Sequence, residues 1–540
     1  MRGAARIAAS LVLAAMLASC GPRAAIRPAC PAGKACLEYG NGSEPVSLDP
    51  AKITGTWEDR IVGEMLVGLT QDDPQGRPAP AMAERWETSA DGKRWTFHLR
   101  RALWSDGVPV TAGDFVFAMR RLMEPKTASE YAYLLFFIRN AEAVNDGKLP
   151  PEALGVRAID DRTLEIDLTH PAPYLLEVAK HETMYPAPEH AVRRWGEHWT
   201  DPAHYVANGP YRLVSWRLGD HIRLTKNPLY YDAAKVCIDQ VDFYPTTDPI
   251  AAERRVRRGE LDVSSDILSN RVHYLEQPDQ MAAYVRVHTY LGVSYLVFNT
   301  RDVAAFRDRR VRLALDMTVD RAFITQKLER DGRLPAYTFV PPGTDNYAAA
   351  PLPVWAAWPF ERRQAVARAL LAQAGYGPGH PLSFEYKHGD SPEALLIAPA
   401  LQADWRTIGV HVTLAQEEGQ IAYQDLRVRN FEMGAASWIA DYNDATSFLT
   451  LLQSNTGAQN YGDYDNPAFD ALLSAADNEP DAKVRAADLA RAEQLMLDDA
   501  AIIPVSFFVN KALVNPKITG WVDNLTNWHR LQYLCVKRQP

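Results

Sequence analysis

His181-Glu182 begins like a zinc-protease motif, but the next histidine is His190. Such a site needs two imidazoles four residues apart on one helical face, and this spacing does not supply them. No G-x-S-x-G nucleophile elbow occurs, and no G-x-x-x-x-G-K-[ST] phosphate loop. The cysteines form no C-x-x-C and match no zinc module, so no metal or other cofactor is expected. A Ser/His/Asp triad is defined by geometry, and spacing alone neither finds nor excludes one. What the chain offers in quantity is aromatic surface, with 13 tryptophans and 23 tyrosines. Most such rings build cores and sheet faces; some line ligand clefts.

The elements that position a cleft are spread over a long chain. At 540 residues it exceeds one hydrophobic core, so two or three domains are expected. Charged residues are 23% and apolar residues 47%, ordinary for a soluble globular protein. A formal net charge of -9 argues against a nucleic-acid partner. Arg2 and Arg6 precede an apolar run from Ile7 to Ala18, the pattern of a signal peptide over residues 1–19. Leu17-Ala-Ser-Cys20-Gly21 resembles the lipobox of bacterial lipoproteins, in which the cysteine thiol carries a diacylglycerol. The other reading is a plain secretory signal with an incidental cysteine. Beyond Cys20 no uncharged stretch of roughly 18 residues remains, so no membrane span is expected. Residues 21–36, rich in Pro, Ala and Gly, read as a tether behind the lipidated cysteine.

Export places Cys30, Cys36, Cys237 and Cys535 in an oxidising compartment, which also disfavours the reduced thiol of a Cys–His catalyst. Four cysteines allow three pairings, and sequence alone does not choose among them. The short spacing favours a small Cys30–Cys36 loop, leaving Cys237 and Cys535 to join distant segments.

Order is expected from about Leu37. Trp95, Phe97 and Leu99 alternate with polar residues behind an Asp91-Gly92 turn, the signature of a hairpin strand. Thr111 and Asp114 form a capping box ahead of Phe115, Met119 and Leu122 at helical spacing. Leu164, Ile166 and Leu168 alternate after the Asp160-Asp161 turn. Tyr211–Trp216 and His221–Thr225 read as a hairpin, Val241–Tyr244 as a strand, Pro249–Arg257 as a helix and Leu261–Ser264 as a strand again. This order predicts an α/β layer. Helices are predicted over Glu361–Ala374, ending at Gly375, and from Pro392 towards Gly409. A strand is predicted over Val410–Leu414 and a long amphipathic helix over Asp481–Leu497. No Gly/Ser linker interrupts the chain, so the domains are expected to be joined by crossing strands.

A series of ordered blocks carries a resemblance. They are Asn41-Gly-Ser-Glu-Pro-Val-Ser-Leu-Asp-Pro50, Ala81-Met-Ala-Glu-Arg-Trp86, Trp95-Thr-Phe-His-Leu-Arg100, and Trp104-Ser-Asp-Gly107 running into Val110-Thr-Ala-Gly-Asp-Phe115. Asn208-Gly-Pro-Tyr211, Lys226-Asn-Pro-Leu-Tyr-Tyr-Asp232, Arg258-Gly-Glu-Leu-Asp262, Trp438-Ile-Ala-Asp-Tyr442 and Asp465-Asn-Pro-Ala-Phe-Asp470 follow. Each is weak alone. In this order, from about 37 to 535, they resemble the oligopeptide-binding family of bacterial ABC importers, family 5 of the extracellular solute-binding proteins.

The resemblance implies a two-lobed, periplasmic-binding-protein-like α/β clamp with an extra third domain and the ligand buried between the lobes. It assigns residues 37–66, 191–292 and 509–540 to domain I, 67–190 to the extra domain II, and 293–508 to domain III. It implies a monomeric receptor and no enzyme, held to the membrane only by a lipid on Cys20 and passing a peptide to ABC permease subunits. By the same resemblance Asp441 takes the peptide's α-amine; a carboxylate is also the natural partner of a buried ammonium. Thr54, Gly55 and Thr56 on one side, and Ser437, Trp438 and Ile439 on the other, sandwich the peptide backbone, as strand addition permits. Tyr290, Tyr295, Asn460, Tyr461, Asp266 and Phe508 fall near side-chain pockets.

Two departures stand out. Better-known members carry an arginine where this chain has Ala435, and some carry cysteines at the places of Gly292 and Ile439. Arg427, Arg333 and His388 are candidates to replace the arginine. The alternatives are a receptor for another family ligand (murein peptide, glutathione, nickel chelate, sugar or opine) and, from another class, an envelope hydrolase or peptide-holding chaperone.

Overall fold

The computed structural model describes residues 30–349 and 351–537. The expected signal peptide over residues 1–19 and Cys20 lie outside the described residues.

Strand β1 (Cys36–Gly40) is followed by helix α1 (Thr56–Met65). A separate four-stranded antiparallel sheet is built from β2 (Ala83–Thr88), β3 (Arg94–Leu99), β4 (Val156–Asp160) and β5 (Thr163–Asp167), in the order β2-β3-β5-β4. The alternation in β3 is what the sequence predicts: Trp95, Phe97 and Leu99 are buried. Gly92 turns the hairpin at φ +69°, a conformation that favours glycine. The Asp114 carboxylate accepts the Thr111 N–H at 2.8 Å, capping helix α2 (Ala112–Met123).

The main sheet has 11 strands. Its first half contains β6 (Tyr211–Arg217), β7 (His221–Lys226), β8 (Gln240–Tyr244) and, after helix α3 (Pro249–Arg257), β9 (Val263–Ser264). β9 is shorter than the predicted Leu261–Ser264, because the Leu261 N–H turns back to the Arg255 carbonyl at the end of the helix. Next comes the long strand β10 (Val285–Phe298). The second half adds β11 (Ser383–His388), helix α4 (Pro392–Arg406), β12 (His411–Gln416), helix α5 (Gly419–Val428), β13 (Met433–Ile439) and the second long strand, β14 (Ile502–Val514). The order is β12-β11-β13-β10-β14-β9-β1-β8-β7-β6, and the eleventh strand, Leu334–Pro335, pairs with β14 off this path. Helices Phe360–Gln373 and Ala482–Asp498 lie close to their predicted ranges.

The two long strands carry the architecture. Val285–Thr289 of β10 pairs with the far part of β14, Val509–Leu513, which reaches β9 and the first half-sheet. Val293–Val297 pairs with Ile502–Phe507 and, on its other edge, with β13. Between these stretches the ladder shifts, so that Tyr290, Leu291 and Gly292 face Phe508 alone. A large core fills most of the first half and runs on into the four-stranded sheet, a smaller one packs around α3, and separate cores fill the second half. Two half-sheets with their own cores, joined by two crossing strands, make a two-lobed α/β clamp.

Disulfides join Cys30 to Cys36 and Cys237 to Cys535, with Cα atoms 5.8 and 5.1 Å apart. The second ties the start of β8 to the chain's end. No helix among the described residues is long and apolar enough to cross a membrane.

Candidate functional site

β13 is paired along its whole length with β10, but β11 reaches it only at Met433 and Gly434. From Ala435 to Ile439 its other edge has no strand partner among the described residues, so backbone groups there can pair with a ligand. Side chains alternate across the strand. Ser437 and Ile439 are exposed, while Trp438 packs against the second-lobe core with its indole N–H unpartnered among the described residues. Trp438 thus supports the strand, whereas Ser437 and Ile439 face the cleft.

A cavity lies at each end of this edge. The one beyond Ile439 measures about 350 Å3 and is lined by Thr54, Gly55, Thr56, Tyr290, Ile439 and Asp441, among others. The structure therefore brings the two expected backbone segments, Tyr290 and Asp441 to one place. α1 starts at Thr56, and its Glu58 carboxylate accepts the N–H groups of both Thr54 (3.1 Å) and Gly55 (3.0 Å). Those two amides are consequently engaged within the chain and are not offered to a ligand. Gly55 lies under the Trp57 ring, where a Cβ would come within 2.5 Å of it.

Asp441 is held in place by its own N–H, which donates to Ser447 Oγ at 3.1 Å, and by the preceding residue, whose N–H donates to the Leu291 carbonyl at 2.9 Å. Its carboxylate accepts the Tyr133 hydroxyl at 3.1 Å. No Lys, Arg or His among the described residues pairs with it. Burial lifts its carboxyl to about 6, and the Tyr133 hydrogen bond only partly offsets this. A poorly hydrated carboxylate without a counter-charge is a site for a cation.

The second cavity, about 410 Å3, is lined by Tyr295, Ser437, Tyr461, Phe508, Ala435 and Arg333, with the exposed Tyr423 of α5. Of the three candidates to replace the missing arginine, only Arg333 lines it. Its guanidinium lies 4.7 Å from the centre of the Phe508 ring, with Glu329 at 2.9 Å and Asp331 at 3.3 Å. Two carboxylates thus already pair with it, Asp331 being shared with Lys511 at 3.2 Å. Arg427 is exposed, 5.9 Å from the Tyr423 ring, and His388 is buried with Nδ1 on the Gly389 carbonyl. Neither lines either of these two cavities.

Two other candidates stand apart. Asn460 is buried, its amide donating to the Tyr464 carbonyl (2.8 Å) and accepting the Tyr464 N–H (3.0 Å), so it shapes its own loop. Asp266 is exposed and accepts the Ile267 N–H at 2.8 Å. Gly292 and Ile439 are direct cross-strand partners, and a Cβ at Gly292 would meet Ile439 at 3.2 Å and Phe508 at 2.6 Å. The sequence reading missed Tyr131, Tyr133 and Glu182, contributed by the segment between α2 and β6. Nothing in Tyr131-Ala-Tyr133 as a string points to a carboxylate 308 positions later.

A cleft between two lobes, bordered by an open strand edge and closed at one end by an unpaired carboxylate, defines a ligand-binding clamp. The family model described as "Bacterial extracellular solute-binding proteins, family 5 Middle" matches residues 77–460. The chain belongs to this family of solute-binding proteins. It is 38% identical over 532 residues to the periplasmic oligopeptide-binding protein OppA of Salmonella typhimurium, covering 97% of this chain and 96% of that one. It is 36% identical to the periplasmic murein peptide-binding protein MppA of Escherichia coli, over 89% of each. Among solved structures, the unliganded open form of MppA superposes with TM-score 0.82 at 34% identity, over 94% of this chain and 98% of that one. OppA of Haemophilus influenzae in complex with RPPGFSPFR gives TM-score 0.77 at 32% identity, over 94% and 99%.

Proposed function

We propose that this protein is an extracytoplasmic receptor that captures peptides between its lobes and delivers them to the permease of an ABC importer. The observation that carries the reading is Asp441: a carboxylate with no cation of its own, at the end of the open edge of β13. A peptide laid along Ala435–Ile439 puts its α-amine at Asp441 and its following side chains in the Arg333 cavity. Relatives named for oligopeptide binding, and a neighbour solved with a peptide, support the same ligand class. On this reading the lobes hinge at the shifted ladder of 290–292 against Phe508, near the proposed end of domain I at 292. A lipid on Cys20 anchors the receptor at the outer face of a membrane, and it works as a monomer.

A second reading has its own support. Ala435 leaves no arginine on the strand, and Arg333 already pairs with two acids, so a free carboxylate at the ligand's far end has no dedicated partner. That favours a murein peptide or another modified peptide, the class for which MppA is named. Native mass spectrometry of protein purified without denaturation identifies the retained ligand. A peptide with a free amine supports the reading; a retained ligand with no amine overturns it.

A further inference from the structure

The Asp441 cavity holds more negative charge than one ammonium requires. Asp59, Glu177 and Glu182 line it as well. The nearby cations, Lys180 on the cavity wall and Arg530 behind it, are already engaged. Lys180 lies 2.8 Å from Asp72 and 3.0 Å from Glu177, and donates to the Gly76 carbonyl at 2.6 Å. Arg530 is shared between Asp59 (3.3 Å) and Asp72 (3.4 Å). Among the described residues Glu182 has an ion-pair contact with His181 alone, at 3.2 Å, and Arg530 acts on it from further away. That imidazole is neutral: burial lowers it to about 3, and its Nδ1 accepts the Thr183 N–H, which puts the single ring proton on Nε2, towards Glu182. Asp59 is buried on the cavity wall, and its Oδ1 has no hydrogen-bond donor among the described residues.

Burial and the nearby Asp59 and Asp441 charges push the Glu182 carboxyl well above the usual range, and burial and Asp72 raise Asp59 as well. Holding such groups together costs the folded protein free energy unless a cation joins them. The space also exceeds what an amine needs. About 350 Å3 lies within the range of small-molecule pockets, whereas a water-sized group takes roughly 30 Å3. Tyr131, Trp57 and Tyr290 add aromatic walls that suit an alkyl stem with a charged tip.

We propose that this cavity binds a second ligand cation beside the α-amine, so that the receptor selects peptides whose first residue is basic, its side chain directed to Glu182 and Asp59. The proposal rests on Asp441 being the partner of the α-amine.

The test is calorimetry on the intact mature protein with two tripeptides, Lys-Ala-Ala and the same peptide acetylated on the lysine Nζ only. Both keep the α-amine. The expected result is at least tenfold tighter binding of the unmodified peptide, with the ratio falling to about threefold or less in Glu182→Gln or Asp59→Asn. Equal affinity of the two peptides for the parent overturns the second-cation site and leaves the Asp441 reading intact, and it needs no variant to fold. Preference for the unmodified peptide that persists undiminished in both variants overturns the assignment to these carboxylates. Failure of both peptides to bind overturns the inference together with the peptide reading.

Discussion

The Tyr133 hydroxyl donates to Asp441 Oδ2 at 3.1 Å, across 308 positions of sequence. The two residues come from different parts of the clamp, Tyr133 from the segment between the strands of the small sheet and Asp441 from the turn that follows β13. The hydrogen bond therefore spans the cleft at the point where the ligand's amine is proposed to sit. A neutral hydroxyl donor stabilises the carboxylate without neutralising it, so Asp441 keeps its attraction for a cation.

Tyr133→Phe removes this donor and leaves the ring. The Asp441 carboxyl should then rise above about 6. Peptide affinity measured across pH 5–8 should show its acid limb displaced to higher pH, with a loss of less than about tenfold at pH 8, since a hydrogen bond to a charged group contributes about 1.5–3 kcal/mol gross of any water that replaces it. An unchanged acid limb would show that the hydroxyl does not act on this carboxylate.

Asp441→Asn should stabilise the unliganded protein. Its folded carboxyl sits at about 6, against an ordinary 3.8. A carboxyl raised by folding costs nothing below about pH 4; the cost grows between pH 4 and 6 and levels off above that. Thermal melts of parent and variant should coincide near pH 4, separate between pH 4 and 6 and stay apart by a constant margin above pH 6, the variant being the more stable by about 1–3 kcal/mol. A variant destabilised at pH 7.5 would point to a structural role for Asp441.

The same carboxyl sets the pH dependence of capture. An ammonium binds the ionised form, so affinity for an amine-bearing peptide should be flat above pH 7 and fall below pH 6, by up to tenfold per unit. Titration calorimetry at pH 5 and 7.5 checks the direction.

Much of the framework was legible because it depends on local rules. The alternation of Trp95, Phe97 and Leu99, the Thr111–Asp114 cap and the Gly375 stop each follow from a few adjacent residues. The ordered blocks carried the two-lobed clamp. Beyond the blocks that hold Asp441 and Trp438–Ile439, the resemblance also placed Thr54–Thr56, Tyr290, Tyr295, Tyr461 and Phe508, which line the two cavities. Tyr133 and Glu182 were not legible, because their proximity to Asp441 arises from packing of segments far apart in sequence. Nor could a string show that Glu58 would occupy the Thr54 and Gly55 amides, that Asn460 would turn inward to Tyr464, or that Asp266 would stay outside both cavities.

The Cys237–Cys535 bridge closes a loop of 298 residues and pins the chain's end beside β8. Replacing both cysteines by serine should cost about 2–5 kcal/mol in denaturant unfolding, chiefly by releasing the unfolded chain. Replacing Cys30 and Cys36, which close a loop of only six, should cost less. Equal losses would contradict the ranking by loop length.

The account turns on Asp441 receiving the ligand's amine. The direct measurement is calorimetric titration of the parent protein at pH 7.5 with one peptide in two forms, free and N-acetylated at the α-amine. Acetylation removes the cation and leaves every protein residue in place. The account predicts that the acetylated form binds at least tenfold more weakly, about 1.4 kcal/mol or more. Equal affinity for the two forms would contradict it.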